Sequence, residues 1–115
     1  MKVYIAHPYG KRRGLSDIEI QANVHQSVKL GVEVFRKGHD PFVPNLAHYM
    51  SIEAPEITEE QWLDWSIGWL SRCDAILVGG ISDGVEKELA VALKLGIKIY
   101  WSLKGLECKE NQGRD

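Results

Sequence analysis

The sequence predicts an α/β fold: one domain built on a parallel sheet flanked by helices. Three observations predict it. Strand-like and helix-like stretches alternate along the chain. The strand-like stretches are short and apolar on both sides, as in sheets covered on both faces. The length of 115 residues suits a single domain.

The first strand is KVYIA at residues 2–6, rich in β-branched and aromatic residues. A loop follows, HPYGKRRG, punctuated by Pro8, Gly10 and Gly14. Ser16 and Glu19 form a capping box that opens a long helix. That helix runs to Lys37, with Gly38 as its stop. Ala22, Val24, Val28, Val32 and Phe35 are expected on its inward face. DPFVPN supplies a second short strand, and LAHYMSIEAPEI has no clear period. Thr58 and Gln61 form another capping box, and the helix it opens ends near Arg72. DAILVGG is the third strand. A helix from about Gly84 to Leu95, closed by Gly96, and a fourth strand, IKIYW, complete the domain at residues 1–102. Residues 103–115 are expected as a polar tail with at most one weak helical turn. The arrangement is Rossmann-like (flavodoxin-like). Such sheets bind ligands beyond the C-terminal strand ends, near the point where strand order reverses. The loops HPYGKRRG and GGISDG leave two such ends.

Composition narrows the partners. The formal net charge is -2, with 44% hydrophobic and 26% charged residues. There is no broad basic footprint for nucleic acid. No apolar run approaches the roughly 20 residues needed to cross a bilayer, so no membrane partner is expected. The start, MKVYIAHP, lacks a cleavage region. Cys73 and Cys108 make neither a disulfide framework nor a metal-ligand spacing. A cytoplasmic protein with reduced thiols, no metal and no cofactor is the expectation.

The stretch GGISDGVEKELAVALKLG carries the sharpest chemical signal. Val85, Leu89, Ala92 and Leu93 form a core-facing stripe at helical spacing. Glu88 borders that stripe, and its neighbours one turn away are Gly84 and Ala92, neither of them basic. One explanation is a carboxylate that satisfies a buried donor elsewhere in the fold. The other is a carboxylate at the edge of a pocket, acting as nucleophile or acid/base. Ser82 and Gly84 sit at the helix start, where free amides make a natural phosphate cradle. Ser82 and Glu88 are about 9 Å apart along the axis, at about 1.5 Å per residue. A nucleotide fits that span, with phosphate at the turn and anomeric carbon at Glu88. Asp83 opposes this, unless it points away.

Three stretches resemble a known family, the nucleoside 2-deoxyribosyltransferases and the related 2′-deoxynucleoside 5′-phosphate N-hydrolases. They are VYIAHPYG, CDAILVGG, and the pattern Ser82-x-Gly84-Val85-x-x-Glu88-Leu89-x-x-Ala92. The resemblance covers roughly residues 3–14 and 73–100. It implies a Rossmann-like homodimer or dimer of dimers that acts on a nucleotide or nucleoside without metal or cofactor. It implies Glu88 as the nucleophile at C1′, with a glycosyl-enzyme ester resolved by water or a second base. Ser82 is similar to the serine of the N-hydrolase branch that holds a 5′-phosphate.

The chain departs from the family pattern at two places. Eight residues before Asp74 the family carries an aspartate that orients the sugar or protonates the base. Here that position is Ser66, and the nearest carboxylate, Asp64, two residues earlier, is the expected substrate-binding residue. Position 7 is a histidine where glycine is common. His7 is open to three roles: narrowing the base pocket, donating to the leaving base, or packing at the strand end.

Tyr4, Tyr9 and Gly10 are expected around the sugar or base. Arg12, in the basic run Lys11-Arg12-Arg13, is expected on the phosphate. Trp62, Trp65 and Trp69 recur on one face of their helix and are expected at a homodimer interface. His39, His48 and Tyr49 lie near the irregular segment, a candidate lid. A non-catalytic nucleotide-binding module of the same fold is the competing expectation.

Overall fold

A computed structural model describes residues 1–10 and 14–108. It is a Rossmann-like α/β fold with four parallel strands in the order β2-β1-β3-β4. In chain order the elements are β1 (Lys2–Ala6), α1 (Asp17–Arg36), β2 (Asp40–Phe42), α2 (Ala47–Glu53), α3 (Glu59–Leu70), β3 (Ala75–Val78), α4 (Asp83–Leu95) and β4 (Lys98–Tyr100). Short 3-10 turns cover Pro44–Leu46 and Leu103–Gly105. No helix among the described residues is long and apolar enough to cross a membrane.

Both expected capping boxes form. Ser16 Oγ accepts from the Glu19 amide, and the Glu19 carboxylate accepts from the Ser16 amide. Thr58 and Gln61 make the same exchange at the head of α3. Gly96 closes α4 with φ of 72°, a left-handed conformation that glycine adopts without steric cost. Pro41 lies in β2, an edge strand, where the missing amide proton is tolerated.

Alternation along β1 and β3 divides the core. Tyr4, Ala6, Ile76 and Val78 face Leu70 of α3 and Val85 and Ala92 of α4. Val3, Ile5, Ala75 and Leu77 face Val34 of α1 and Leu106. Helices therefore cover both sides of the sheet.

The structure corrects several expectations. The inward face of α1 is Ile20, Val24, Ser27, Gly31 and Val34. Ala22, Val32 and Phe35 are exposed, and Val28 is half-buried. The cause is close approach of β2 and the residue after it: a Cβ on Gly31 would come within 2.7 Å of Val43 and 3.8 Å of Pro41. A bulky stripe does not fit there, so small residues hold the contact. Leu93 is 70% exposed and leaves the α4 core stripe. The segment without a period contains α2, which buries only Ala47 and Ser51. Finally, residues 103–108 do not behave as a free polar tail. Leu106 is fully buried, and its carbonyl accepts from Lys37 Nζ at 2.6 Å. His39 donates from Nε2 to the Glu107 carbonyl at 2.7 Å, so it belongs to this seam rather than to a lid.

Candidate functional site

A cavity of about 310 Å³ opens at the C-terminal ends of β1 and β3. β2 lies on one side of β1 and β3 on the other, so this is where the winding reverses and ligands are accommodated. The loop after β1 contributes His7, Tyr9 and Gly10 to the wall. The head of α4 contributes Ser82, Asp83, Gly84, Val85 and Glu88. α3 contributes Trp62, Leu63 and Ser66, and the stretch before and within α2 contributes Asn45, His48 and Ser51.

Glu88 is 6% exposed and lines this cavity. Its carboxylate accepts a hydrogen bond from the Tyr4 hydroxyl. Tyr4 sits on β1 with no exposed surface, its ring 5.6 Å from Phe42. Burial pushes the Glu88 carboxyl up to about 7, and the Tyr4 hydrogen bond opposes that rise. Burial first, and then the neighbouring Glu88 charge, raise the Tyr4 phenol. Tyr4 therefore remains a donor. The sequence expectation of an inward carboxylate at position 88 is met, and no cation pairs with it among the described residues.

The glycines after β3 explain how the first loop reaches the site. A Cβ on Gly79 would meet His7 Cδ2 at 2.8 Å and Leu30 Cδ1 at 2.6 Å. One on Gly80 would meet Pro8 at 3.0 Å. Only bare backbone lets the His7-Pro8 corner rest on the end of β3. Asn45 Nδ2 ties the corner down by donating to the carbonyls of His7 (3.3 Å) and Pro8 (3.1 Å). His7 Nδ1 donates to the Pro8 carbonyl at 2.8 Å.

Across the cavity Tyr9 and His48 are joined at 2.6 Å, hydroxyl to Nδ1. Burial raises the Tyr9 phenol, so the hydroxyl stays protonated where it meets the His48 ring. Asn23 donates to the Tyr9 carbonyl at 3.0 Å and holds that loop against α1.

At the head of α4, Ser82 Oγ accepts from the Val85 amide at 3.2 Å. The hydroxyl proton stays available to a ligand. Asp83 lines the same wall, so a bound anion here would meet a carboxylate as well as amides. Among the described residues no lysine or arginine lines the cavity, and Arg12 lies outside them.

The cavity thus brings together His7, Tyr9, Gly10, Ser82, Gly84 and Glu88. Two expected residues take other places. Tyr4 lies beneath the wall and acts on Glu88. Asp64 is exposed and off the cavity, because two residues along a helix turn the side chain by about 200°. Ser66 faces inward instead, 4% exposed, with its hydroxyl donating to the Leu63 carbonyl at 2.9 Å. The tryptophans also divide. Trp62 lines the cavity, whereas Trp65 and Trp69 lie against Phe42 with ring centroids at 5.8 and 5.7 Å. Asn45 and Ser51 were missed as site residues and His48 was given no role beyond the candidate lid, because α2 buries only two small residues four apart and Asn45 sits in the short turn before it. Among the described residues no group of three or more His, Cys, Asp or Glu side chains converges as a metal site.

The sequence matches, over residues 1–102, the model of a family described as Domain of unknown function (DUF7768). No curated protein and no solved structure matches.

Proposed function

We propose that the chain, which belongs to the DUF7768 family, breaks or exchanges the N-glycosidic bond of a nucleoside or nucleoside 5′-monophosphate. The observation that carries this reading is a buried carboxylate, Glu88, without a cation partner among the described residues, on the wall of a cavity and aimed by a tyrosine hydroxyl. The resemblance of Ser82-x-Gly84-Val85-x-x-Glu88 to a nucleotide-cleaving pattern supports it.

In the first half-reaction a Glu88 oxygen bonds to C1′ as the C1′–N bond breaks. The electron pair leaves with the base, which takes up a proton. In the second, water attacks C1′, loses a proton, and returns the ester electrons to Glu88. A carboxyl titrating near 7 is poised for this work. It is substantially ionised at neutral pH, and the developing positive charge on the sugar favours the ionised form. The tip of α4 suits a 5′-hydroxyl or phosphate, with the Asp83 carboxylate favouring the neutral group.

The test is a panel of nucleosides and their monophosphates, with and without a free acceptor base, assayed for released base by chromatography. Acid-quenched protein from the same reactions is weighed for a pentose adduct. Base release with an adduct supports the reading. Exchange without hydrolysis assigns a transferase. Ser66, where the resemblance has an aspartate, favours a second reading: a nucleotide sensor without turnover. Binding across the panel without base release would support that alternative.

We further propose a homodimer. Phe35 (67% exposed), Val32, Met50, Trp65 and Trp69 form an apolar face around the β2 edge. A face of this kind marks an interaction site. Trp69→Glu is expected to convert a dimer into a monomer in sedimentation analysis. A monomeric wild type at micromolar concentration would refute the pairing.

A further inference from the structure

The geometry points to His7 as the acid that protonates the departing base, an assignment that rests on the N-glycosidic reading of the cavity. A nucleobase leaves poorly as an anion, so a proton must arrive as the C1′–N bond breaks. The cavity offers few groups able to deliver it.

Ser66 cannot act as the acid. Its hydroxyl is engaged by the Leu63 carbonyl and the Tyr4 hydroxyl, and an alkoxide would be left behind. Tyr9 is held protonated by burial, with its hydroxyl at the His48 ring. His48 stands on α2 with its Nδ1 engaged by the Tyr9 hydroxyl. Asp83 belongs to the α4 tip, at the far end of the span from Glu88, and Glu59, which also lines the cavity, stands at the head of α3 beside Tyr9.

His7 has the complementary arrangement. Its Nδ1–H is fixed on the Pro8 carbonyl, a group that can only accept. All proton exchange therefore takes place at Nε2, which makes no hydrogen bond among the described residues. The ring lies over Gly79, where a Cβ would displace it, and Asn45 anchors its backbone from the other side. This fixes the ring at the junction of β1 and β3, the strands whose ends floor the cavity. A fixed acid of this kind avoids the cost of orienting a mobile one. The chain also carries its two departures from the resembling pattern in one cavity: a carboxylate is absent at position 66, and a titratable ring is present at position 7.

In this scheme the imidazolium Nε2–H passes to a ring nitrogen or carbonyl oxygen of the base as the C1′–N electron pair moves onto the base. The neutral Nε2 then takes a proton from the water that attacks C1′, and both groups are restored.

The experiment compares purine nucleosides with their N7-methylated counterparts, whose cationic bases depart without protonation. His7→Gln is expected to lower kcat/KM on the ordinary nucleosides by about a hundredfold or more. On the methylated ones the loss is expected to stay under about tenfold. His7→Asn serves as a second variant, and thermal melts of both confirm that the fold is kept. Equal losses on both substrate types, or no loss on either, would overturn the assignment and leave the N-glycosidic reading standing. Wild-type failure on both types, and across the wider panel of nucleosides and 5′-monophosphates, would overturn that reading and this one together.

Discussion

Glu88→Gln is expected to abolish base release, by on the order of 10⁴-fold or more, while nucleoside binding is retained. Loss of a nucleophile that acts as part of a unit has effects of this size. The same substitution is expected to stabilise the protein in alkaline solution. The Glu88 carboxyl rises from 4.5 when unfolded to about 7 when folded. Between these values the folded chain holds a proton that the unfolded chain has released. The stability tied to that proton is complete below pH 4.5 and is lost as the pH rises through 7. The loss is about 3 kcal/mol, at 1.36 kcal/mol per pH unit. Glutamine has no such penalty and can still accept from Tyr4. At pH 8.5 the variant should melt roughly 10 °C higher than the wild type, and at pH 4 the two should coincide. Calorimetry across that range checks the prediction. Equal melting temperatures at pH 8.5 would show that the carboxylate is not held in a desolvated state.

Tyr4→Phe is expected to lower kcat/KM by up to about a hundredfold at neutral pH. A hydrogen bond to a charged acceptor is worth about 1.5–3 kcal/mol, and here it both aims Glu88 and opposes its desolvation. Without the hydroxyl the carboxyl rises above 7. The acid limb of the pH–kcat/KM profile should therefore move to higher pH, with a larger deficit at pH 6 than at pH 9. Phenylalanine preserves the packing against Phe42, so the fold should persist. A profile reduced in height but unmoved would show that Tyr4 does not tune Glu88.

The two outcomes turn on a residue that was legible in the sequence, and the reasons are physical. Glu88 stood out because helical spacing put it beside Val85 and Ala92, a position that an ordinary solvated glutamate does not occupy. The strands and both capping boxes were legible because each is a local pattern. The face of α1 was not. It buries Ser27 and Gly31 because another segment comes close, and no count of apolar residues contains that distance. α2 was hidden for a related reason. It shows large side chains such as Tyr49 and Ile52 to solvent and buries Ala47 and Ser51, the reverse of an amphipathic signal. Asp64 was a phase error: a carboxylate two positions away in sequence lies nearly on the opposite side of the helix. Leu106 follows Gly105 in a polar stretch, and only the assembled sheet shows the gap it fills.

That last residue bears on how the protein should be made in the laboratory. The family match stops at residue 102, which invites an expression boundary there. Such a cut would remove Leu106 and uncover apolar groups around Val3, Ile5 and Leu77. It would also strip the Lys37 ammonium and the His39 ring of their carbonyl acceptors. Recombinant versions should retain the chain through at least Glu107, and affinity tags belong beyond that point.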